Sequence, residues 1–200
     1  MTGRELATVL DAALARLVES CDELRDLDAA LGDGDLGITV RKGSDAVRAK
    51  LAELEDPAPA EVLRAAGAAF ANANPSTLAA LVGGGLLAAA KTVADAGELG
   101  AEEARRIGRA AADSIAARGK AEPGDKTILD AVLPSLDALD GADGDALPAM
   151  IDAARCGVEE TMPLQSQRGR AAWLNERSKG NADAGATAYV RFLESLAASL

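Results

Sequence analysis

The chain contains no histidine among its 200 residues. That gap excludes Ser-His-Asp and Cys-His nucleophile systems, histidine-ligated zinc and any phosphohistidine carried on this chain. Any enzyme chemistry here falls to carboxylates, metal ions, Lys, Arg and backbone amides. Aromatic residues are almost as scarce, at 2%, so the core must be built from Ala and Leu, strong helix formers and poor strand markers. Cysteine is limited to Cys21 and Cys156. Both fall far apart in segments that read as helix, so free, buried, structural thiols are expected, as in a cytoplasmic protein. Positive charge is also short: 21 Lys and Arg face 32 Asp and Glu, for a net charge of −11. No Lys/Arg run exists to neutralise phosphates, which argues against nucleic-acid or anionic-membrane partners. No basic–apolar leader opens the sequence. The longest apolar stretch, 78–90, is broken by Gly83, Gly84 and Gly85 and is too short to span a bilayer.

What is present is helical patterning. Eight segments are predicted, at roughly 4–29, 38–55, 59–72, 76–96, 101–118, 126–139, 145–161 and 185–199. They are joined by Gly/Pro/Asp-rich connections such as Asp56-Pro57-Ala58-Pro59 and Gly141-Ala142-Asp143-Gly144. The expected architecture is all-α: one domain over 1–200, an antiparallel barrel or bundle of about eight helices. Residues 162–184 stand apart. They are polar, carry Arg168, Arg170, Arg177 and Lys179, and contain the single Trp. A long loop with at most one short helical turn is expected, of the kind that is usually functional or disordered.

In the first segment Leu6, Leu10, Leu14, Leu17, Cys21 and Leu24 mark one buried stripe. The same spacing arrives next at Asp28, a carboxylate where an apolar residue is expected. A buried, unpaired carboxylate is costly and finds a cation or loses its charge. Asp33 and Asp35 follow in the stretch Leu-Gly-Asp-Gly-Asp-Leu-Gly-Ile-Thr (31–39). The end of one helix favours a cation and the start of the next favours an anion, so a glycine-rich loop between them suits Mg²⁺ and phosphate. An acidic turn whose aspartate caps the next helix accounts for the local pattern equally well. An EF-hand does not, because its twelfth position, counted from Asp33, is Ser44 rather than Glu.

Three further stretches stand out. In 72–77 Asn74 reads as a helix N-cap with Pro75 at the first helical position, so Ser76 and Thr77 either open a helix or cradle a second phosphate. In 118–127 the charged residues read as a solvated turn with a cap at Asp125. Gly85 to Thr92 superficially echoes a P-loop but lacks the second glycine, lies within a helix and follows no strand.

Taken together, the aspartate motif, RGKAEPGDKTILD (118–130) and RGRAAWLNERSKGNADAGAT (168–187) resemble the L subunit, or nucleotide-binding domain, of the dihydroxyacetone kinase family. The resemblance spans nearly the whole chain. It implies an eight-helix antiparallel barrel holding ADP or ATP at one end through two Mg²⁺ ions. Asp28, Asp33 and Asp35 match the family's metal ligands. Gly37, Ile38 and Thr39 match the phosphate-binding start of the second helix, with Leu36 standing where the family usually carries histidine. Pro75, Ser76 and Thr77 fall at a phosphate loop that is usually Gly-Gly-x-Ser-Gly. Gly119 and Ile128 match positions lining the nucleotide, Arg170 a nucleotide-contacting arginine, and Asp183, Ala184 and Gly185 a segment closing the site. The implied partners are a K subunit that holds the ketose covalently and, in some members, a phosphotransferase-system phosphocarrier; a homodimer is also compatible. Phosphoryl transfer to dihydroxyacetone or a similar small ketose is the activity implied. Leu36 and the altered loop leave two alternatives open: a subfamily acting on another ketose such as a four-carbon sugar, or a non-catalytic, nucleotide-binding regulatory paralogue.

Overall fold

The computed structural model describes all residues, 1–200, and contains nine α-helices and no β-sheet. The helices are α1 (Gly3–Leu17), α2 (Cys21–Leu31), α3 (Leu36–Leu51), α4 (Pro59–Ala73), α5 (Thr77–Thr92), α6 (Ala101–Gly119), α7 (Leu129–Asp140), α8 (Leu147–Thr161) and α9 (Ala184–Ala197). They correspond one to one with the eight expected segments, except that the first is divided. Val18–Ser20 tightens into a 3₁₀ turn between α1 and α2, while the flanking backbone stays right-handed helical. The stripe therefore continues through it, and Leu14, Leu17, Cys21 and Leu24 all lie in the largest core cluster. No helix is long and apolar enough to cross a membrane.

Each helix from α2 onward packs on the next, and α9 returns to pack on α1. The result is a closed ring of antiparallel helices. Short connections make the chain run up and down, so the C-terminal ends of α2, α4, α6 and α8 share one rim with the N-terminal ends of α3, α5, α7 and α9. Starts and ends of helices carry opposite partial charge, and this rim alternates them.

Glycine lets several neighbours approach closely. A Cβ on Gly83 would lie 2.6 Å from the Gly67 carbonyl and from Ala71 Cβ, and one on Gly85 3.3 Å from the Ala111 carbonyl. The glycine triplet thus seats α4 on one side of α5 and α6 on the other, which is why Gly85 to Thr92 is helix interior and no phosphate loop. The α7–α8 crossing has a different cause. Pro134, inside α7, has no N–H to give the Asp130 carbonyl, and Gly157 of α8 rests directly against that carbonyl oxygen.

Two expectations need correction. Asn74 does not cap α5. It ends α4 in an extended conformation, and Ser76 takes the N-cap position with its hydroxyl free of the helix. Both cysteines are free, but only Cys21 is buried and Cys156 is exposed.

Replacing Gly157 by Ala forces a methyl into the Asp130 carbonyl. Overpacking of this kind costs about 1–3 kcal/mol, to be read as a lower urea midpoint at unchanged slope.

Candidate functional site

At the rim, the three aspartates converge. The carboxylate oxygens of Asp28, Asp33 and Asp35 lie within 4.8 Å of one another. Asp28 is half-buried in the last turn of α2, Asp35 is half-buried before α3, and Asp33 is exposed. The glycines between them do separate work. Gly34 adopts φ +72°, a left-handed conformation that turns the chain between the two loop aspartates. Gly32 leaves room for the first carboxylate, since a Cβ there would stand 2.8 Å from Asp28 Oδ1. Gly37 rests on the Cys21 carbonyl, so its missing side chain serves helix packing rather than ligand approach.

The beginning of α3 is partly satisfied from within. The Leu36 amide donates to Asp28 Oδ2 at 3.2 Å, and the Thr39 amide to the Asp35 carbonyl at 2.9 Å. Asp35 is the N-cap residue, yet its side chain makes no capping bond. The acidic-cap alternative therefore fails, and the Gly37 and Ile38 amides keep no acceptor. Leu36 is buried, whereas Ile38 is half exposed. Thr39 is fully buried and accepts a 3.0 Å bond from Asn74 Nδ2. That bond ties the start of α3 to the start of α5, where Ser76 and Thr77 stand beside a second set of free amides. Pro75 is exposed.

The basic segment 162–184 closes over this cluster. Gly180 N–H donates to the Met162 carbonyl at 2.8 Å, so the ends of the loop are joined. Within it Arg170–Ser178 forms a 3₁₀ stretch kinked at Asn175, longer than the single turn expected. Arg168 donates to Asp125 Oδ2 at 2.7 Å. Arg170, beyond Gly169 at φ +65°, contacts Asp33 and reaches Asp35 at 3.5 Å. One guanidinium therefore answers two of the three carboxylates. An open cleft of about 430 Å³ lies beside this pair, walled by Leu31, Asp33, Arg170, Arg177 and the exposed Trp173.

The 118–128 connection is not the solvated turn that composition suggests. Lys126 is buried to 1% exposure, in a left-handed conformation with φ +60°. Its ammonium donates to the carbonyls of Met162, Leu164 and Ser178 at 2.9, 3.0 and 2.7 Å. All three N–H donors of a lysine are thereby used. Burial pulls its pKa below the ordinary lysine value, with Asp183 opposing that pull. Asp125 does not cap α7; it accepts from the Glu122 amide and from Arg168. The buried carboxylate of Asp130 anchors this turn instead, accepting from the Gly124 and Thr127 amides. The roles of Lys126 and Asp130 in the rim carry no signal in the sequence, and Asn74, expected as a cap, serves instead as the donor to Thr39.

Gly119, Ile128 and Gly185 line the far side of the rim. A Cβ on Gly119 would meet Leu81 at 3.7 Å, and one on Gly185 would meet Ile128 at 3.7 Å and Leu78 at 3.8 Å. Gly119 itself is helical, and Lys120 takes the left-handed cap. Asp183 caps α9 by accepting from the Ala186 amide at 2.7 Å, with Ala184 as the first helical residue. Burial pushes the Asp183 carboxyl up to about 6, against the pull of the capping amide; nearby Asp130 raises it further. The candidate metal- and nucleotide-binding residues thus lie around one rim.

A ring of antiparallel helices with an acidic trio, free helix N-termini and a basic flap at one rim defines a class, and comparison supplies its family. The chain matches the DAK2 domain over residues 30–198 and belongs to that family. It is 32% identical over 180 residues to the ADP-binding subunit DhaL of the PEP-dependent dihydroxyacetone kinase of Escherichia coli, covering 87% of this chain and 86% of that one. It is 37% identical over 192 residues to a D-erythrulose kinase of Mycolicibacterium smegmatis, covering 92% of this chain but spanning only 33% of that relative. Its fold matches a dihydroxyacetone kinase of C. freundii, solved in complex with AMP-PNP and Mg²⁺, at a TM-score of 0.76 and 24% identity; 97% of this chain covers 33% of that one.

Asp183 provides a test of the rim's electrostatics. Well below pH 3.8 its carboxyl is neutral in both folded and unfolded chains. Between the ordinary 3.8 and about 6 the unfolded chain ionises while the folded group keeps its proton. This group therefore lowers stability as pH rises through that window, and the loss is complete above it. Asp183→Asn keeps an oxygen for the Ala186 amide and removes the titration. Urea unfolding from pH 4 to 7 should show the variant gaining on the wild type up to pH 6, by on the order of 2–3 kcal/mol, then a constant difference.

Proposed function

We propose that this chain is the nucleotide-binding subunit of a dihydroxyacetone-type kinase. In this reading it holds ADP or ATP through Mg²⁺ at the aspartate rim and presents phosphate to a small ketose on a separate K subunit. The observation that carries the reading is the clustering of Asp28, Asp33 and Asp35 directly against the open amides of α3. The DhaL relatives and the AMP-PNP and Mg²⁺ complex of the fold neighbour support it.

The donor set suits the metal. Carboxylate oxygens are the ligands that hard cations prefer, and Mg²⁺ commonly takes one or two of them along with phosphates and water. Three carboxylates within 4.8 Å of one another exceed that need and support two ions. When bound, Mg²⁺ supplies charge neutralisation for the polyphosphate and its transfer. The chain's own residues do the remainder. Asp28, Asp33 and Asp35 would hold the cations. The Gly37 and Ile38 amides, and those following Ser76, present N–H groups where phosphate oxygens would lie. Arg170, paired to the carboxylates in this structure, would be free to turn to the phosphates with cations on the trio, and its planar fork suits them. Leu78, Gly119, Ile128 and Gly185 form the less polar wall suited to the nucleoside.

Leu36 is buried and gives the rim no imidazole, so phosphate handling rests on amides, arginine and metal. This favours a receiving subunit that supplies its own acid–base group, and a ketose held there covalently fits. The erythrulose kinases among the relatives make a four-carbon ketose a reasonable acceptor alongside dihydroxyacetone. A phosphotransferase-system phosphocarrier would recharge bound ADP if ATP is not the donor.

Titration calorimetry should find ADP binding that requires Mg²⁺. Asp33→Ala should weaken it by on the order of 100-fold or more with an unchanged helical circular dichroism spectrum. Retained affinity in that variant refutes the site. Turnover is then assayed with a K subunit, ATP and a panel of short ketoses; ADP binding without turnover on any acceptor would favour the regulatory paralogue.

A further inference from the structure

Lys126 is the largest fully buried side chain in the protein, and nothing in the proposed phosphate chemistry uses it. Its three acceptors are placed unusually. Met162 and Leu164 begin the loop that carries Arg170, and Ser178 ends it. The rest of the loop runs between those attachment points. Its interior is polar: the buried Ser178 hydroxyl accepts from the Ser166 amide and donates to the Asn175 carbonyl. The Met162 carbonyl also accepts from the Gly180 amide, but those of Leu164 and Ser178 have Lys126 as their donor. Acceptors that lose their donor turn toward water, and here that means opening the loop.

We propose that Lys126 is a positioning residue: its ammonium pins both ends of the 162–178 loop so that Arg170 stands over the aspartate trio. Its left-handed backbone, unusual for a lysine, directs the side chain beneath the loop. The Asp130 carboxylate holds that backbone by accepting from the amides of Gly124 and Thr127, on either side of Lys126. Asp125, the adjacent residue, fixes the outer strand of the loop through Arg168 and a 2.9 Å bond from the Gln167 amide to its carbonyl. The 118–130 motif thus acts as a base plate for the 168–187 motif. This explains why a charged turn and a basic loop far apart in sequence serve one site.

The proposal rests on the nucleotide reading above and is tested by a mutant cycle. ADP affinity in the presence of Mg²⁺ is measured for wild type, Lys126→Met, Arg170→Ala and the double variant. Mn²⁺ affinity without nucleotide is measured alongside by electron paramagnetic resonance. Lys126→Met should weaken ADP about tenfold, comparable with Arg170→Ala, and the double variant should lose little beyond Arg170→Ala alone. Mn²⁺ affinity of Lys126→Met should not fall, because the aspartates sit on α2 and the loop that opens α3, and a loosened Arg170 competes less for them; a loss of Mn²⁺ affinity parallel to that of ADP would mean that the variant disturbs the trio itself and overturns the proposal. Wild-type ADP affinity in Lys126→Met, or losses that multiply in the double variant, overturns the proposal. If Lys126→Met does not fold, Lys126→Gln, which keeps an N–H donor, takes its place in the cycle. Failure of both to fold also overturns it, since the ammonium then serves the whole fold. Absence of ADP binding to the wild type refutes the nucleotide reading instead.

Discussion

Mutual repulsion among three carboxylates is the constraint that organises this molecule. Asp28, Asp33 and Asp35 are held within 4.8 Å in a chain whose net charge is already −11. Such a cluster persists only where positive potential converges on it. The structure provides that in two forms. One is the N-terminal end of α3, whose first amide is given to Asp28. The other is Arg170, delivered from more than a hundred residues away. One guanidinium and one helix start thus answer three carboxylates, and the oxygen-rich set they leave is of the kind that hard divalent cations prefer.

Up-and-down topology makes this convergence possible. A ring of helices joined by short turns places every second connection at one end, and each contributes a helix start or a helix end. Glycine at the α5 interfaces and the proline-opened carbonyl of α7 keep the ring tight, so residues from positions 28 to 185 share one rim. The Asn74–Thr39 bond shows the scale on which neighbouring helix starts are aligned: one side-chain amide is enough to couple two anion-favouring ends.

Much of this was legible in the sequence. Apolar spacing determined the helices and the glycine-rich connections their limits, because a helix exposes its periodicity in any sequence that must bury one face. Asp28 was visible for the same reason, as a break in a stripe. Asn74 was misread because Asn, Pro and Ser in succession satisfy the rules for a helix start at more than one register, and only packing against Thr39 decides between them. Lys126 was invisible. A lysine in a charged turn is normally solvated, and this one is buried solely because a segment 36 to 52 residues further along folds over it. Local pattern carries no trace of such a partner. Cys156 illustrates the reverse, a residue expected inside that α8 leaves outside.

The position of Trp173 has a practical corollary. It is the sole indole of the chain, 84% exposed, on the flap that carries Arg170. Its emission therefore comes from one place, undiluted by other tryptophans, and a shift in colour or quenching speaks for that flap alone. The protein contains its own optical gauge beside the aspartate trio.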